Sequence, residues 1–346
     1  MALIERGDVK ASHGGRAQRV VVVSLMKSGT HLLQDLMARL GYGIYGESQI
    51  PAEARPKFDI RARAEIARVV YGDDLLMETD RDRFMTETDL AWGALGWAWQ
   101  LRLGMPLENH YGMDLSHVGL VRETLQRTLT TSFSETPGNL CWILPGLNIR
   151  RIDGAFLREW AATGEPKIIF NYRDPRDVAL SMVNFLGGET VKGYGAFSDF
   201  AVYNRILRGM ESVEERITYA LADPLFPGIR DFEEAFWLLR HPDVCKVSFE
   251  ELVGPQGGGS TEAQLHALAR LTEFIGTDAC IEELAGSLFN RHSFTFHKGQ
   301  IGAWRSSFTD EQSRFVKQHF GHIVSAYGYE QDALVGPAGA VETVSR

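Results

Sequence analysis

The sequence predicts an α/β fold, a P-loop-like three-layer arrangement in which a central parallel sheet is flanked by helices. Two apolar runs carry that prediction. Val20–Val23 and the KIIFNY stretch at 167–172 read as buried strands, apolar along their length rather than alternating. Each runs through a short polar turn into a segment of helical spacing: Leu32, Leu33, Leu36, Met37 and Leu40 after the first, and Val178, Met182, Phe185 and Leu186 after the second. The third observation is organisation. The 346 residues contain no evident linker, and the motifs that suit a ligand lie near both ends. One domain over 19–331 is therefore expected, with loose tails at 1–18 and 332–346.

The first turn, Lys27-Ser28-Gly29-Thr30 followed by His31, has the make-up of an anion cradle. Gly29 permits a sharp turn and close approach of the backbone to a ligand, and the first N–H groups of the following helix have no intrahelical partner. Lys27 adds a formal charge, and Ser28 and Thr30 add hydroxyl donors. The order differs from the ATP- and GTP-binding loop G-x-x-x-x-G-K-[ST], because Lys27 precedes Gly29 and Ser24 stands where the first Gly would be. The same strand–loop–helix device is thus turned to a different phosphate geometry.

The second turn is Arg173-Asp174-Pro175-Arg176-Asp177. Asp174 suits an N-cap and Pro175 the first helical position. Arg173 falls at the carboxyl end of its strand, the edge where open α/β sheets bind ligands, with Ser181 further along the helix. A guanidinium fork beside a hydroxyl makes a good monophosphate clamp. A third segment, FHKGQIGAWRSSF at 296–308, places His297 and Lys298 beside Gly299 and Gly302, a composition suited to wrapping a phosphate.

In their order and residues, LMKSGTHLL, YRDPRDVALS and HKGQIGAW resemble the sulfotransferases that use 3′-phosphoadenosine-5′-phosphosulfate (PAPS), over residues 20 to about 327. In that family a P-K-S-G-T-T-W-like loop holds the 5′-phosphosulfate, an R-N-P-[RK]-D-x-x-x-S-like segment holds the 3′-phosphate, and R-K-G-x-x-G-x-W covers the nucleotide. The resemblance implies that Lys27, Ser28, Gly29 and Thr30, with His31 beside them, bind the 5′ end. It assigns Arg173 and Ser181 to the 3′-phosphate, and His297, Lys298 and Gly299 to the cover. Phe249, in VSFEEL, stands where the family often has a Tyr near the adenine, so stacking survives but the hydroxyl contact does not. Met26 replaces the usual Pro, and His297 replaces an Arg, which makes its charge depend on pH. PAPS is the implied co-substrate, and no metal is required.

Many cytosolic members also carry a catalytic His at a strand end between the first two motifs. The corresponding stretch here, NLCWILPGLNIRR at 139–151, has none. Glu47, just after a presumed second strand at 41–45, is the first candidate for the base, in a placement that resembles the catalytic Glu of the heparan-sulfate branch. His110 and His117 follow it, and His31 is expected to hydrogen-bond at the helix start rather than act on an acceptor.

Composition fits a soluble cytoplasmic enzyme. With 36 basic and 45 acidic residues the net charge is −9, which argues against general nucleic-acid binding and requires anion capture to come from a local basic cluster. The cysteines Cys141, Cys245 and Cys280 are odd in number and scattered, as in a reducing compartment. No signal-like or membrane-spanning apolar run is evident.

Residues 75–147 match the family least, and with 187–230 they are the expected acceptor-site inserts. The stretch 89–107 concentrates Trp92, Trp97, Trp99 and Met105, which suits either helical core or the wall of a pocket for a hydrophobic or aromatic alcohol. Further expectations are a mobile segment at 187–199, a surface loop at 254–261, and helices at 262–275 and 310–327. Many family members dimerise through K-x-x-x-T-V-x-x-x-E. The aligned Arg305, Thr309, Asp310 and Arg314 remove the apolar centre and reverse a charge, so no dimer is expected there. The activity implied is transfer of a sulfuryl group to the hydroxyl of a small molecule such as a natural product or lipid. A phosphotransferase with an atypical phosphate loop and a non-catalytic nucleotide-binding protein remain the alternatives.

Overall fold

A computed structural model describes residues 16–45, 60–72, 80–105, 118–188, 198–288 and 300–329. In chain order the elements are β1 (Arg19–Ser24), α1 (Thr30–Arg39), β2 (Gly43–Tyr45), α2 (Ile60–Tyr71), α3 (Arg81–Arg102), α4 (Val118–Thr128), β3 (Leu140–Leu144), α5 (Gly154–Thr163), β4 (Lys167–Tyr172) and α6 (Pro175–Leu186). There follow α7 (Ser198–Arg208), α8 (Val213–Ala222), α9 (Asp231–Glu234), α10 (Phe236–Arg240), β5 (Val244–Ser248), α11 (Phe249–Leu252), α12 (Thr261–Ile275), α13 (Ile281–Leu288) and α14 (Asp310–Ala326).

The five strands form one sheet in the order β2-β3-β1-β4-β5, and every pair is parallel. The α/β class expected from the sequence is the one observed. Alternation along β1 divides the interior in two. Val21 and Val23 enter a core shared with α3, α5, α6 and α14, whereas Val20 and Val22 enter a second core with α1, α12 and α13. A strand with helices on both faces can be apolar at every position, which is why four consecutive valines are fully buried.

That division locates a crevice. Leu33, Leu36 and Met37 put α1, which follows β1, on one face of the sheet; Val178, Met182 and Leu186 put α6, which follows β4, on the other. β1 and β4 are neighbours, with Ser24 opposite Asn171 at their carboxyl ends. Adjacent strands whose connections leave in opposite directions open a gap between their loops, the usual ligand position in an open α/β sheet. The loops are those of Lys27 and Arg173.

The tryptophan-rich segment divides as well. Trp99 is fully buried, edge-on to Phe133 at 4.5 Å, so it belongs to the core and is no pocket wall. Trp92 is half-buried and stacks on Tyr45 at 4.3 Å. Gly96 makes room for that stack, since a Cβ there would lie 2.0 Å from Tyr45 Cδ1. In an open helix Gly→Ala gains about 1 kcal/mol, but here the ring is held between two tryptophans. Gly96→Ala is therefore expected to destabilise by about 1–3 kcal/mol through overpacking. Urea denaturation measures this, and an unchanged or raised midpoint would show that Tyr45 yields.

The helices at 262–275 and 310–327 are observed as α12 and α14. The stretch at 254–261 is less open than expected, because it folds into a 3₁₀ turn, Pro255–Gly257, with Gly257 buried. Most of 187–199 lies outside the described residues.

Candidate functional site

The first loop is set by backbone strain and a polar clasp. Lys27 adopts φ +63° and Gly29 φ +93°, two left-handed residues within one turn. Gly29 is the N-cap of α1 and no side chain caps the helix, which leaves its first N–H groups for a ligand. Ser28 is fully buried, and its Oγ has no hydrogen-bond partner. Such orphaned donors are uncommon in a folded interior. Asn171 Nδ2 ties the loop to β4, donating to Ser28 O at 2.8 Å and to Ser24 Oγ at 2.9 Å.

The Lys27 ammonium lies 4.3 Å from the centre of the Phe185 ring, on the face of α6 that also carries Ser181 one turn earlier. Burial, reinforced by the charge of Arg173, lowers it to about 8. Burial also holds His31 below its ordinary value, opposed by the Gln34 side chain and reinforced by Lys27. Lys27 makes no ion pair among the described residues, so the loop presents a cation that its own surroundings destabilise. A bound anion would reverse that.

Arg173 supplies the second cation. It is buried at the end of β4, its guanidinium lies 4.4 Å from the centre of the Phe249 ring, and its Nε has no partner. Nη2 donates to Gln300 O at 2.8 Å and lies 3.6 Å from Asp177 Oδ2. The same Asp177 accepts from Gly302 N at 2.7 Å and Trp304 N at 3.0 Å, and Arg176 stacks on Trp304 at 4.0 Å. Burial pushes the Asp177 carboxyl up, against the pull of Arg173 and the two amides. Residues 300–304 are thereby fastened over the start of α6. Glu250, also raised by burial, accepts from Asp174 N at 3.0 Å and Tyr329 Oη at 2.7 Å and backs the same turn.

Phe249 joins the two halves. Its ring packs so closely on the first loop that a Cβ on Gly29 would lie 2.7 Å from its Cδ2, while its face carries Arg173. Two cations, two orphaned donors and a glycine turn pressed on an aromatic ring fit a ligand with separated anionic groups. The structure thus gathers Lys27, Ser28, Gly29, Thr30, Arg173 and Phe249 around one crevice. Ser181 is half-buried on α6 beside it. Glu47, His110, His117, His297, Lys298 and Gly299 lie outside the described residues. Asn171, Asp177 and Glu250 are the site's supports that sequence reading missed.

Because free Lys27 loses its proton as pH rises through about 8, anion affinity is expected to fall above that pH, by up to about tenfold per unit. Below it Lys27 adds no pH dependence. Near pH 8 binding takes up a proton, so titration calorimetry in two buffers of different ionisation enthalpy should give different heats; equal heats would refute the assignment. Stability runs the other way. The folded value lies below the unfolded 10.5, so the burial penalty applies in full below about 8 and is relieved as the pH rises through it.

No family model and no curated protein sequence matches the chain. Among solved structures, a mouse sulfotransferase complexed with PAP is similar to it with a TM-score of 0.47 and 15% sequence identity, over 94% of this chain and 89% of that one. Among the described residues no group of His, Cys, Asp and Glu side chains could hold a metal ion, and no helix is long and apolar enough to cross a membrane.

Proposed function

We propose that the protein is a PAPS-dependent sulfotransferase that transfers a sulfuryl group to a hydroxyl of a small molecule such as a natural product or lipid. One observation carries the reading: the loops after adjacent strands bring Lys27, over the Phe185 ring, and Arg173, over the Phe249 ring, to one crevice, with Ser28 Oγ and Arg173 Nε left without partners. LMKSGTHLL, YRDPRDVALS and HKGQIGAW follow the family's order along the sequence.

Lys27 places positive charge where negative charge develops on the oxygen that leaves sulfur, which lowers the barrier electrostatically. Ser28 Oγ, the α1 N–H groups and Thr30 Oγ1 hold the 5′ end. Arg173 and Ser181 hold the 3′-phosphate, and Phe249 offers its ring to the base. His297, Lys298 and Gly299 cover the nucleotide in this scheme, and Glu47 takes the acceptor's proton, with His110 and His117 as the alternatives. The bound PAPS supplies the sulfuryl group, and the scheme needs no metal.

We assign acceptor choice to inserts at 75–147 and 187–230 of a single domain over 19–331, working in the cytoplasm on a hydrophobic or aromatic alcohol. No symmetric dimer through 305–314 is part of the proposal, since Asp310 removes the apolar centre of that segment and Arg314 reverses the charge that would meet a partner's cation.

Calorimetric titration with PAP, followed by transfer from labelled PAPS across an acceptor library, tests the reading. Binding of PAP and sulfation of some alcohol are expected. Binding of Mg-ATP in place of PAP would favour the phosphotransferase, and PAP binding without transfer to any acceptor would favour a nucleotide-binding protein.

A further inference from the structure

The clasp behind the first loop has a direction. Ser28 O can only accept, so the Asn171 atom 2.8 Å away must be the amide nitrogen. The second amide proton then goes to Ser24 Oγ at 2.9 Å. Having accepted, Ser24 is left with its own proton, and its hydroxyl lies 2.9 Å from Thr30 Oγ1. By distance either hydroxyl could donate in that contact, but no other acceptor for the Ser24 proton is found among the described residues, and Thr30 makes no other hydrogen bond among them. Donation from Ser24 to Thr30 therefore satisfies Ser24 and leaves the Thr30 proton free. It stands at the first position of α1, where unpaired N–H groups surround it and no carbonyl takes its proton.

We propose that Asn171 is a positioning residue that fixes the proton direction Asn171→Ser24→Thr30, so that the Thr30 hydroxyl is committed as a donor to the anion in the crevice. Hydrogen bonds that point the same way polarise one another, which makes the terminal hydroxyl a better donor than an isolated threonine. Asn171 is almost fully buried and its Oδ1 has no partner, so its two hydrogen bonds are both made by the amide nitrogen, to Ser28 O and Ser24 Oγ. The side chain keeps its position for what its nitrogen does. It points from β4 into the loop of β1, and Leu25 N donates to Asn171 O at 3.2 Å beside it, so one residue holds both backbone and hydroxyls in register.

The inference deepens the nucleotide reading, but its chemistry needs only an anion at the loop, and the test uses two probes. Full-length protein is titrated with PAP by calorimetry and with inorganic sulfate by thermal shift. Thr30→Val should weaken both by about tenfold, the effect of losing a hydrogen bond to a charged group, while Thr30→Ser binds like the wild type. Asn171→Leu should weaken both severalfold, and the double variant Asn171→Leu/Thr30→Val should bind no more weakly than Thr30→Val alone. Ser24→Ala breaks the relay in its middle and should show the same non-additivity, which keeps the test open if Asn171→Leu does not fold. Equal losses from Asn171→Leu with and without the Thr30 hydroxyl would mean that Asn171 only shapes the loop, and would overturn the proposal. So would a Thr30→Val protein with wild-type affinity, or the absence of any sulfate-dependent stabilisation. If the sulfate series behaves as stated and PAP does not bind, the relay stands and the nucleotide reading falls.

Discussion

Replacing Lys27 with Ala should reduce sulfuryl transfer by about two to three orders of magnitude at saturating PAPS, the usual effect of removing a preorganised charge from a developing anion. The fold should not suffer. Lys27 has no acidic partner among the described residues, and burial and Arg173 both disfavour its charge, so its removal relieves a cost. Unfolding in urea should therefore show a stability equal to or above that of the wild type. Arg173→Ala makes the contrast, since Arg173 is assigned to hold the far phosphate: it should weaken PAP binding more than it slows turnover at saturation. Full turnover in Lys27→Ala at saturating PAPS would show that Lys27 does not face the leaving oxygen.

The largest effect on stability is expected at the opposite end of the sheet. Arg19 begins β1 fully buried, with Nη1 3.2 Å from Glu165 Oε2 and Nε 2.8 Å from Thr136 O. Burial lowers its guanidinium while Glu165 holds it up. Glu165→Ala leaves an uncompensated buried cation and should cost about 3–5 kcal/mol, whereas replacing both partners by methionine should be nearly neutral or stabilising. Chemical denaturation of the two proteins decides it. A single variant no less stable than the double one would mean that water or Thr136 already satisfies Arg19.

The strands at either end of the candidate crevice were legible because apolar runs of such length have few other uses, and the turns after them because Lys27-Ser28-Gly29-Thr30 and Arg173-Asp174-Pro175 combine charge with cap chemistry. Asp174 does cap α6, accepting from Arg176 N at 2.9 Å, and Pro175 does begin it. What periodicity could not supply was the partner across the sheet. Val20 and Val21 are interchangeable as letters, yet they enter different cores, and only that assignment puts α1 and α6 on opposite faces. In the sequence Asn171 is one more residue of KIIFNY. A lone amide in a strand otherwise buried and apolar was the available signal, but its partner Ser28 is 143 positions away. Asp177 was seen only as a residue of a polar turn, because the amides it accepts belong to Gly302 and Trp304, 125 and 127 positions on. Trp99 shows the converse: composition marks aromatic surface without saying whether it faces core or ligand.

Phe249 packs against Gly29 and carries Arg173 on its face. A planar ring cannot shorten, so if Lys27 and Arg173 hold anions as proposed, the ring between Gly29 and Arg173 should keep the two holds at a set separation, as in a bivalent receptor. A ligand that carries both anions on one frame meets the second hold at an effective concentration on the order of millimolar once the first is engaged, whereas two separate monoanions must each be captured from solution. Selectivity for the long ligand then comes from spacing alone. Trimming the ring to leucine should narrow the gap between PAP and its monophosphate fragments even where each half-site still binds its own anion.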